Sequence, residues 1–260
     1  MEYWHKQTSD QPLYPDLSWD KPERKDLAGK LLIIGGNLHG FASPAKAFEV
    51  AQASGIGYTR ILLPESLKRT LHAFWTDAVF CPSTPSGSFA RDSKEIVLQN
   101  ALWADGLLLP GDLGRNSETA VMLDGIIASI KSILVITKDA LDYYMERPST
   151  LLARGNTIIV PSFSQLQKML THSKFATPLT FTMPLSKLVE ALHELTLGKS
   201  LGIITKFEET YVVAYGGQVS TTPSIDDKDI WRLDTASEVA VSVVQNPSKI
   251  FEAMTHSITL

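Results

Sequence analysis

Three stretches carry residue types that can hold an anion or move a proton. In the first, Gly35-Gly36-Asn37-Leu38-His39-Gly40 follows an apolar run, and His39 reads either as a ligand-facing donor or as a solvated loop histidine. In the second, Pro110-Gly111-Asp112-Leu113-Gly114-Arg115-Asn116 follows three leucines. Gly114 permits backbone conformations closed to other residues, and Arg115 can grip a phosphate bidentately or stand in water. In the third, Lys206 offers a point charge that Glu208 and Glu209 can neutralise. Cys81 reads as a small buried residue. His5, His72, His172, His193 and His256 lack the spacing of a ligand set, so no metal site is assigned. Gly35-Gly36 with Gly40 lacks the full G-x-G-x-x-G spacing, which argues against a dinucleotide-binding dehydrogenase.

The elements that must position these residues follow from local pattern. Residues 30–36, 58–64, 107–109, 133–137 and 157–160 are short apolar runs bounded by turn formers, as strands buried on both faces are. Helical patterns at about 43–55, 65–74, 94–103, 118–130, 165–170 and 185–197, with a short helix from Asp139, alternate with them; such βαβ units build a parallel sheet. Ser43-Pro44 and Asn116-Ser117 read as helix starts. Ser162-x-x-Gln165 and Thr235-x-x-Glu238 have the form of capping boxes, which would make Glu238 a cap on its own helix. Residues 201–205, 210–214 and 218–221 are short strands, the last two joined by a turn at Tyr215-Gly216-Gly217. Helices at 235–244 and 248–256 close the chain. In open parallel sheets ligands lie beyond the carboxyl ends of the strands, so the turns at 35–42 and 110–115 are expected to face one cleft.

The chain has 260 residues, 44% of them hydrophobic, and a formal net charge of -4 from interspersed charges. Nucleic acid and anionic membrane are therefore poor partners. One cysteine excludes an internal disulfide, and no apolar run approaches the roughly 20 residues of a membrane span. Residues 1–27 lack periodicity and read as an arm that Trp4, Tyr14 and Trp19 can pin to the body or to another subunit. Residues 28–260 read as a single domain. A cytoplasmic homo-oligomer is expected.

These pieces, in this order, resemble the ADP/ATP-dependent NAD(P)H-hydrate dehydratases, the YjeF C-terminal-domain family of the ribokinase-like superfamily. Residues 31–64 are similar to that family's opening strand, Gly-Gly turn, helix and strand ending in Pro-Glu-Ser. Residues 104–115 are similar to its "ADxLLxGPGLGR" segment, Asp139-Ala140-Leu141 to its "DADAL", Val160-Pro161 to its "TPHPGE", and Lys206 with Thr210 to its "KGxxT". The resemblance implies an α/β, ribokinase-like fold: a mostly parallel sheet, helices on both faces and a small antiparallel edge. It implies a site for ADP or ATP, with magnesium left open, near Lys206, Thr210, Thr235, Ala236 and Ser237. Hydrated NADH or NADPH would lie across the cleft near Asn37, His39, Gly114, Arg115 and Asp139. Phosphorylation of the hydrate hydroxyl would make it a leaving group, and Glu238 falls where the family has its catalytic base.

The chain departs from that pattern where the chemistry is demanding. The family's Gly-Ser-Gly-Asp becomes Thr235-Ala236-Ser237-Glu238, although glycines there let backbone amides approach a phosphate. Asp234 adds negative charge beside it. "GPG" becomes Pro110-Gly111-Asp112, "HPGE" becomes Ser162-Phe163-Ser164-Gln165, the first Asp of "DAD" is Thr137, and Lys228-Asp229-Ile230 replaces an Asn-Pro-Gly. Three readings follow: a divergent working dehydratase, a non-catalytic relative on the same fold, and a small-molecule kinase of the ribokinase superfamily. With Asp234, Glu208 and Glu209 near the phosphates, nucleotide binding is expected to be weak.

Overall fold

The computed structural model describes residues 2–71, 75, 78–224 and 231–259. In chain order, β1 (Trp4–Lys6) and a 3-10 turn over Pro15–Ser18 precede β2 (Lys30–Ile34), α1 (Ala42–Ala53) and β3 (Tyr58–Pro64). Then come α2 (Lys68–Leu71), β4 (Val79–Cys81), α3 (Ser93–Ala101), β5 (Gly106–Leu109) and α4 (Ser117–Ser129). β6 (Ile133–Thr137), α5 (Asp139–Asp142), α6 (Ser149–Leu152), β7 (Thr157–Val160), α7 (Phe163–His172) and α8 (Leu185–Thr196) follow. The chain closes with β8 (Leu201–Phe207), β9 (Thr210–Tyr215), β10 (Gln218–Pro223), α9 (Trp231–Gln245) and α10 (Ile250–Ser257).

All ten strands form one sheet, ordered β1-β10-β9-β8-β7-β6-β5-β2-β3-β4. It is parallel from β8 through β4, and antiparallel only where β9 pairs with β8 and β10. The period-2 geometry of a strand sends successive side chains to opposite faces, and here both faces are covered. Leu32, Ile34, Leu107 and Leu109 pack with α3, α4, α7 and α8, while Leu31, Ile33 and Leu108 pack with α1, α9 and α10. Each fully buried leucine contributes on the order of 1.5–3 kcal/mol, which is why strands with no polar face dominate the centre.

Several helix starts follow from local sequence. Asn116 caps α4, its side chain accepting from the amides of Glu118 and Thr119. The Ser162/Gln165 capping box is formed in full at α7. Two starts differ from expectation. α1 begins at Ala42 with Phe41 as a cap residue that makes no side-chain bond, so Ser43 lies inside the first turn. α9 is already helical at Trp231, the first described residue after 224, and Thr235 is therefore an interior position rather than an N-cap. Thr-Ala-Ser-Glu contains no glycine to stop the helix, and Leu233, 2% exposed, gives it a core contact farther back. The Thr235/Glu238 capping box does not form. β4 has no counterpart in the sequence pattern, being three residues long and only partly buried. The segment ahead of β2 supplies β1, which pairs with β10 at one edge of the sheet. Lys228-Asp229-Ile230, and residues 72–74 of the expected helix at 65–74, lie outside the described residues.

Candidate functional site

Strands β2, β5, β6, β7 and β8 run in the same direction, so the turns that follow them gather at one rim. The turns after β2 and β5 are stitched together there. The Gly36 amide donates to Gly111 O at 3.3 Å, and Asn37 Nδ2 donates to Asp112 O at 2.6 Å. Asn37 Oδ1 in turn accepts from the His39 amide at 2.8 Å, leaving the His39 side chain exposed. A Cβ at Gly35 would lie 2.7 Å from Gly111 O, so this contact requires glycine. The 35–42 and 110–115 turns thus share one end of the sheet, as expected.

The turn after β5 curls three successive amides inward. Asp112 N donates to Asp139 Oδ1 at 2.7 Å, and Leu113 N and Gly114 N donate to Oδ2 at 2.9 and 3.3 Å. Positive φ at Gly111 (111°), Asp112 (58°) and Gly114 (72°) produces the curl. Such a backbone concavity binds anions, and its anion here is the carboxylate of Asp139, the first residue of α5. Tyr143 closes the far side, donating its hydroxyl to Gly114 O at 2.8 Å and accepting from Asn116 N at 3.3 Å. Burial, assisted by the charge of Asp139, holds the Tyr143 phenol above its ordinary pKa against the opposing hydrogen bond from Asn116. It therefore remains a donor.

Asp112 fills a second anion position. A non-glycine residue at φ 58° is uncommon, and the family to which this turn is similar has glycine there. Asp112 Oδ2 accepts from the Ser43 amide in the first turn of α1 at 2.7 Å. Lys138, itself at φ 53° between β6 and α5, donates from Nζ to Ser43 Oγ at 2.6 Å and stands 3.8 Å from Asp112 Oδ1. The start of α1, which lacks a cap of its own, is capped by a carboxylate from 69 residues away.

One strand further along, Gln165 ties three helices together. Its Oε1 accepts from Ser162 N at 3.1 Å and from Arg232 Nη1 at 2.8 Å. Its Nε2 donates to Lys138 O at 3.0 Å and to Asp142 Oδ1 at 2.8 Å. Burial draws the Arg232 pKa down, opposed by the charges of Asp142 and Asp139. Asn37, Gly114 and Asp139 therefore meet in one network, and Arg115 is exposed beside it. A groove of about 560 Å³ runs past Gly114, Arg115, Asp139, Asp142, Tyr143 and Lys168.

Lys206 and Thr210 lie on the β8–β9 hairpin, where Lys206 pairs with Tyr211 and Phe207 with Thr210. Lys206 Nζ sits 5.7 Å from the centre of the Tyr211 ring, which Trp231 also meets edge-on at 5.6 Å. Glu208 and Glu209 are exposed, and neither forms an ion pair with Lys206 among the described residues. Thr235, Ala236 and Ser237 are buried within α9, and Ser237 Oγ turns back to Leu233 O at 2.8 Å. Their amides belong to the helical ladder rather than to a free N-terminus. Glu238 lies two turns into the helix and is half-buried. Among the described residues, no group of three His, Cys, Asp or Glu could hold a metal ion. Sequence reasoning missed Lys138, Tyr143 and Arg232. For Lys138 a signal was present, since it directly follows a core strand at its carboxyl end.

No family model matches the chain. It is 30% identical over 127 residues to a bifunctional NAD(P)H-hydrate repair enzyme of Salinibacter ruber, covering 47% of this chain and 23% of that one. A bifunctional NAD(P)H-hydrate repair enzyme of Thermosynechococcus vestitus is 27% identical over 145 residues, covering 54% of this chain and 27% of that one. The matched region is thus about a quarter of the length of these relatives. A ribokinase-like superfamily protein from Enterococcus faecalis superposes with a TM-score of 0.75 at 16% identity, over 100% of this chain and 86% of that one. The ADP/ATP-dependent NAD(P)H-hydrate dehydratase of Bacillus subtilis, co-crystallised with ATP and Mg2+, superposes with a TM-score of 0.63 at 13% identity, over 91% and 79%. The chain has the ribokinase-like fold, and over about half its length its sequence is similar to that of NAD(P)H-hydrate repair enzymes.

Proposed function

We propose that this protein is an ADP/ATP-dependent NAD(P)H-hydrate dehydratase-like protein whose catalysis is weakened or lost. Sequence similarity to the repair enzymes supports the lineage. The observation that carries the weakening is Asp112. Its carboxylate stands against the first turn of α1 and beside Lys138, where the turn's resemblance places a glycine. A phosphate arriving at that turn meets a negative charge already bound to the best donors.

The nucleotide half of the cleft points the same way. A phosphate needs free amides at a helix end, and Ala236 and Ser237 sit inside α9. The residues present do not fit a bound triphosphate at the positions expected for it, and no catalytic step is derived through one. Lys206 remains available as a single positive charge beside Tyr211. Glu238 as a base would have to act from two turns within a helix, not from its exposed end. A small-molecule kinase would need the same phosphate site, so the same losses weigh against it.

The test is calorimetric binding of ADP and ATP with magnesium, followed by a dehydration assay on hydrated NADH and NADPH. Expected are affinities in the millimolar range and little or no turnover. Micromolar binding with clear turnover, abolished by Glu238→Gln, would overturn the weakening and make Glu238 a working base.

A further inference from the structure

The chain ahead of β2 is strapped across one edge of the sheet. β1 pairs in parallel with β10 from Trp4 opposite Val219 to Lys6 opposite Thr221. Trp4 Nε1 donates to Thr221 Oγ1 at 2.9 Å. Gln7, 3% exposed, donates from Nε2 to Thr222 Oγ1 at 2.9 Å and to Thr255 O at 2.8 Å. Tyr3 stacks on His193 at 3.7 Å, and both His5 and Tyr14 rest against Phe251 of α10. At the end of the 3-10 turn, Ser18 Oγ lies 3.2 Å from His256 Nε2.

Two imidazoles line this seam. His256 is 4% exposed, and its Nδ1 is buried with no hydrogen-bond partner among the described residues. The Nε2 of His5 is likewise buried without one. A neutral imidazole carries one N–H donor, whereas an imidazolium carries two and needs an acceptor for each. Ser18 can supply one acceptor to His256, and among the described residues none supplies the second. Of the charges around α10, Lys21 of the strap acts on His256, and Glu252, one turn back on α10, acts on Tyr14 instead. β10 meets α10 there through the Ser220–Thr255 hydroxyl pair, α9 through Ser242 to Ala253 O, and β9 through Val213 and Tyr215 in the apolar cluster with Ala253 and Met254. Among the described residues, no carboxylate is among the groups acting on His256.

We propose that residues 2–21 form a pH-sensitive strap, which protonation of His256 releases from β10 and α10, baring the β10 edge of the sheet. An unpaired edge of this kind is a template for another strand. Burial first, then the Lys21 charge, lowers the His256 pKa in the strapped state. With the strap open, the imidazole regains its ordinary value near 6.5. The open state therefore binds more protons, so the strap is held fully above pH 6.5 and loses its hold as pH falls below it. Across that window, until the strapped-state pKa is passed, the open population rises by up to about tenfold per pH unit.

Hydrogen exchange on the full chain at pH 7.5 and 5.5, corrected for intrinsic rates, tests this. The reporters are the Gln7 amide on Thr221 O and the Val219 amide on Tyr3 O, with the β5 and β6 amides as internal controls. Protection of the two strap amides is expected to fall, by up to about tenfold, between the two values while the controls hold. His256→Gln should remove that dependence. Lys21→Gln, a surface change that leaves the fold intact, should reduce it. Equal strap protection at both values would overturn the proposal. So would an undiminished dependence in His256→Gln, which would place the sensitivity elsewhere.

Discussion

Asp112→Gly tests the central argument with little cost to the fold. The change removes a cap from α1, for about 1 kcal/mol, and an ion pair with Lys138 at 3.8 Å. The two side chains of that pair are 28% and 21% exposed, so it contributes no more than about 1 kcal/mol. Against this, glycine relieves a left-handed φ of 58°, which costs a residue with a Cβ about 1 kcal/mol. The expected net loss is about 1–2 kcal/mol including the greater freedom of glycine in the unfolded chain, or a fall in Tm of roughly 2–8 °C at this size. For binding, a phosphate charge about 4 Å from the Asp112 carboxylate is disfavoured by about 1 kcal/mol in bulk water and about 4 kcal/mol at an effective dielectric of 20. Affinity for a phosphate-bearing ligand should therefore rise at least about fivefold, with an upper bound of several hundredfold. Calorimetry with ADP, ATP, NADH and NADPH, each with magnesium, reads the change. Asp112→Gly/Lys138→Met should lose the gain, because the freed donor is then missing. A folded Asp112→Gly protein with unchanged affinity for all four would refute the idea that Asp112 occupies a ligand's place.

Asp139→Ala leaves three amides of one turn without their acceptor and should cost about 3 kcal/mol, seen calorimetrically as a fall in Tm of roughly 6–12 °C; a fall under 2 °C would show that the turn holds itself. Gly35→Ala sets a Cβ against the Gly111 carbonyl, so the two turns must part, and denaturant unfolding should show a loss of at least about 2 kcal/mol. Thr235→Gly with Ser237→Gly should cost about 1 kcal/mol in helix propensity and speed hydrogen exchange around these positions of α9, since glycine is roughly 0.5 kcal/mol worse than Thr or Ser in a helix interior; unchanged exchange would mean that packing alone holds this part of α9. Burial pushes the Cys81 thiol up to about 12, so a thiol reagent at pH 8 should label it only in denaturant.

Some of this was legible in local sequence. The apolar runs at 30–36, 58–64, 133–137 and 157–160 hold β2, β3, β6 and β7 because a strand buried on both faces must be apolar throughout. Asn116 and the Ser162/Gln165 box worked as read, their partners lying within three residues of the cap. The Gly216-Gly217 turn closed the β9–β10 hairpin, both glycines taking positive φ. The glycine turns after β2 and β5 met at one rim because adjacent parallel strands must end together.

Only the tertiary structure decided what those turns hold. The Thr235/Glu238 pattern was chemically a capping box, yet whether a box forms depends on where the helix begins. α9 is already helical ahead of Thr235, held there by Leu233 in the core, by Trp231 against Tyr211, and by Arg232 on Gln165, 67 residues away. Asp112 looked like a lost glycine. Its carboxylate found the amide of Ser43 and the ammonium of Lys138 through contacts that no local window contains. Asp139 likewise looked like one half of a motif, and folding made it the anion of a nest 25 to 27 residues upstream. Strands and nearby caps depend on period and spacing along the chain, whereas the owner of a donor at a shared rim depends on which strands lie side by side.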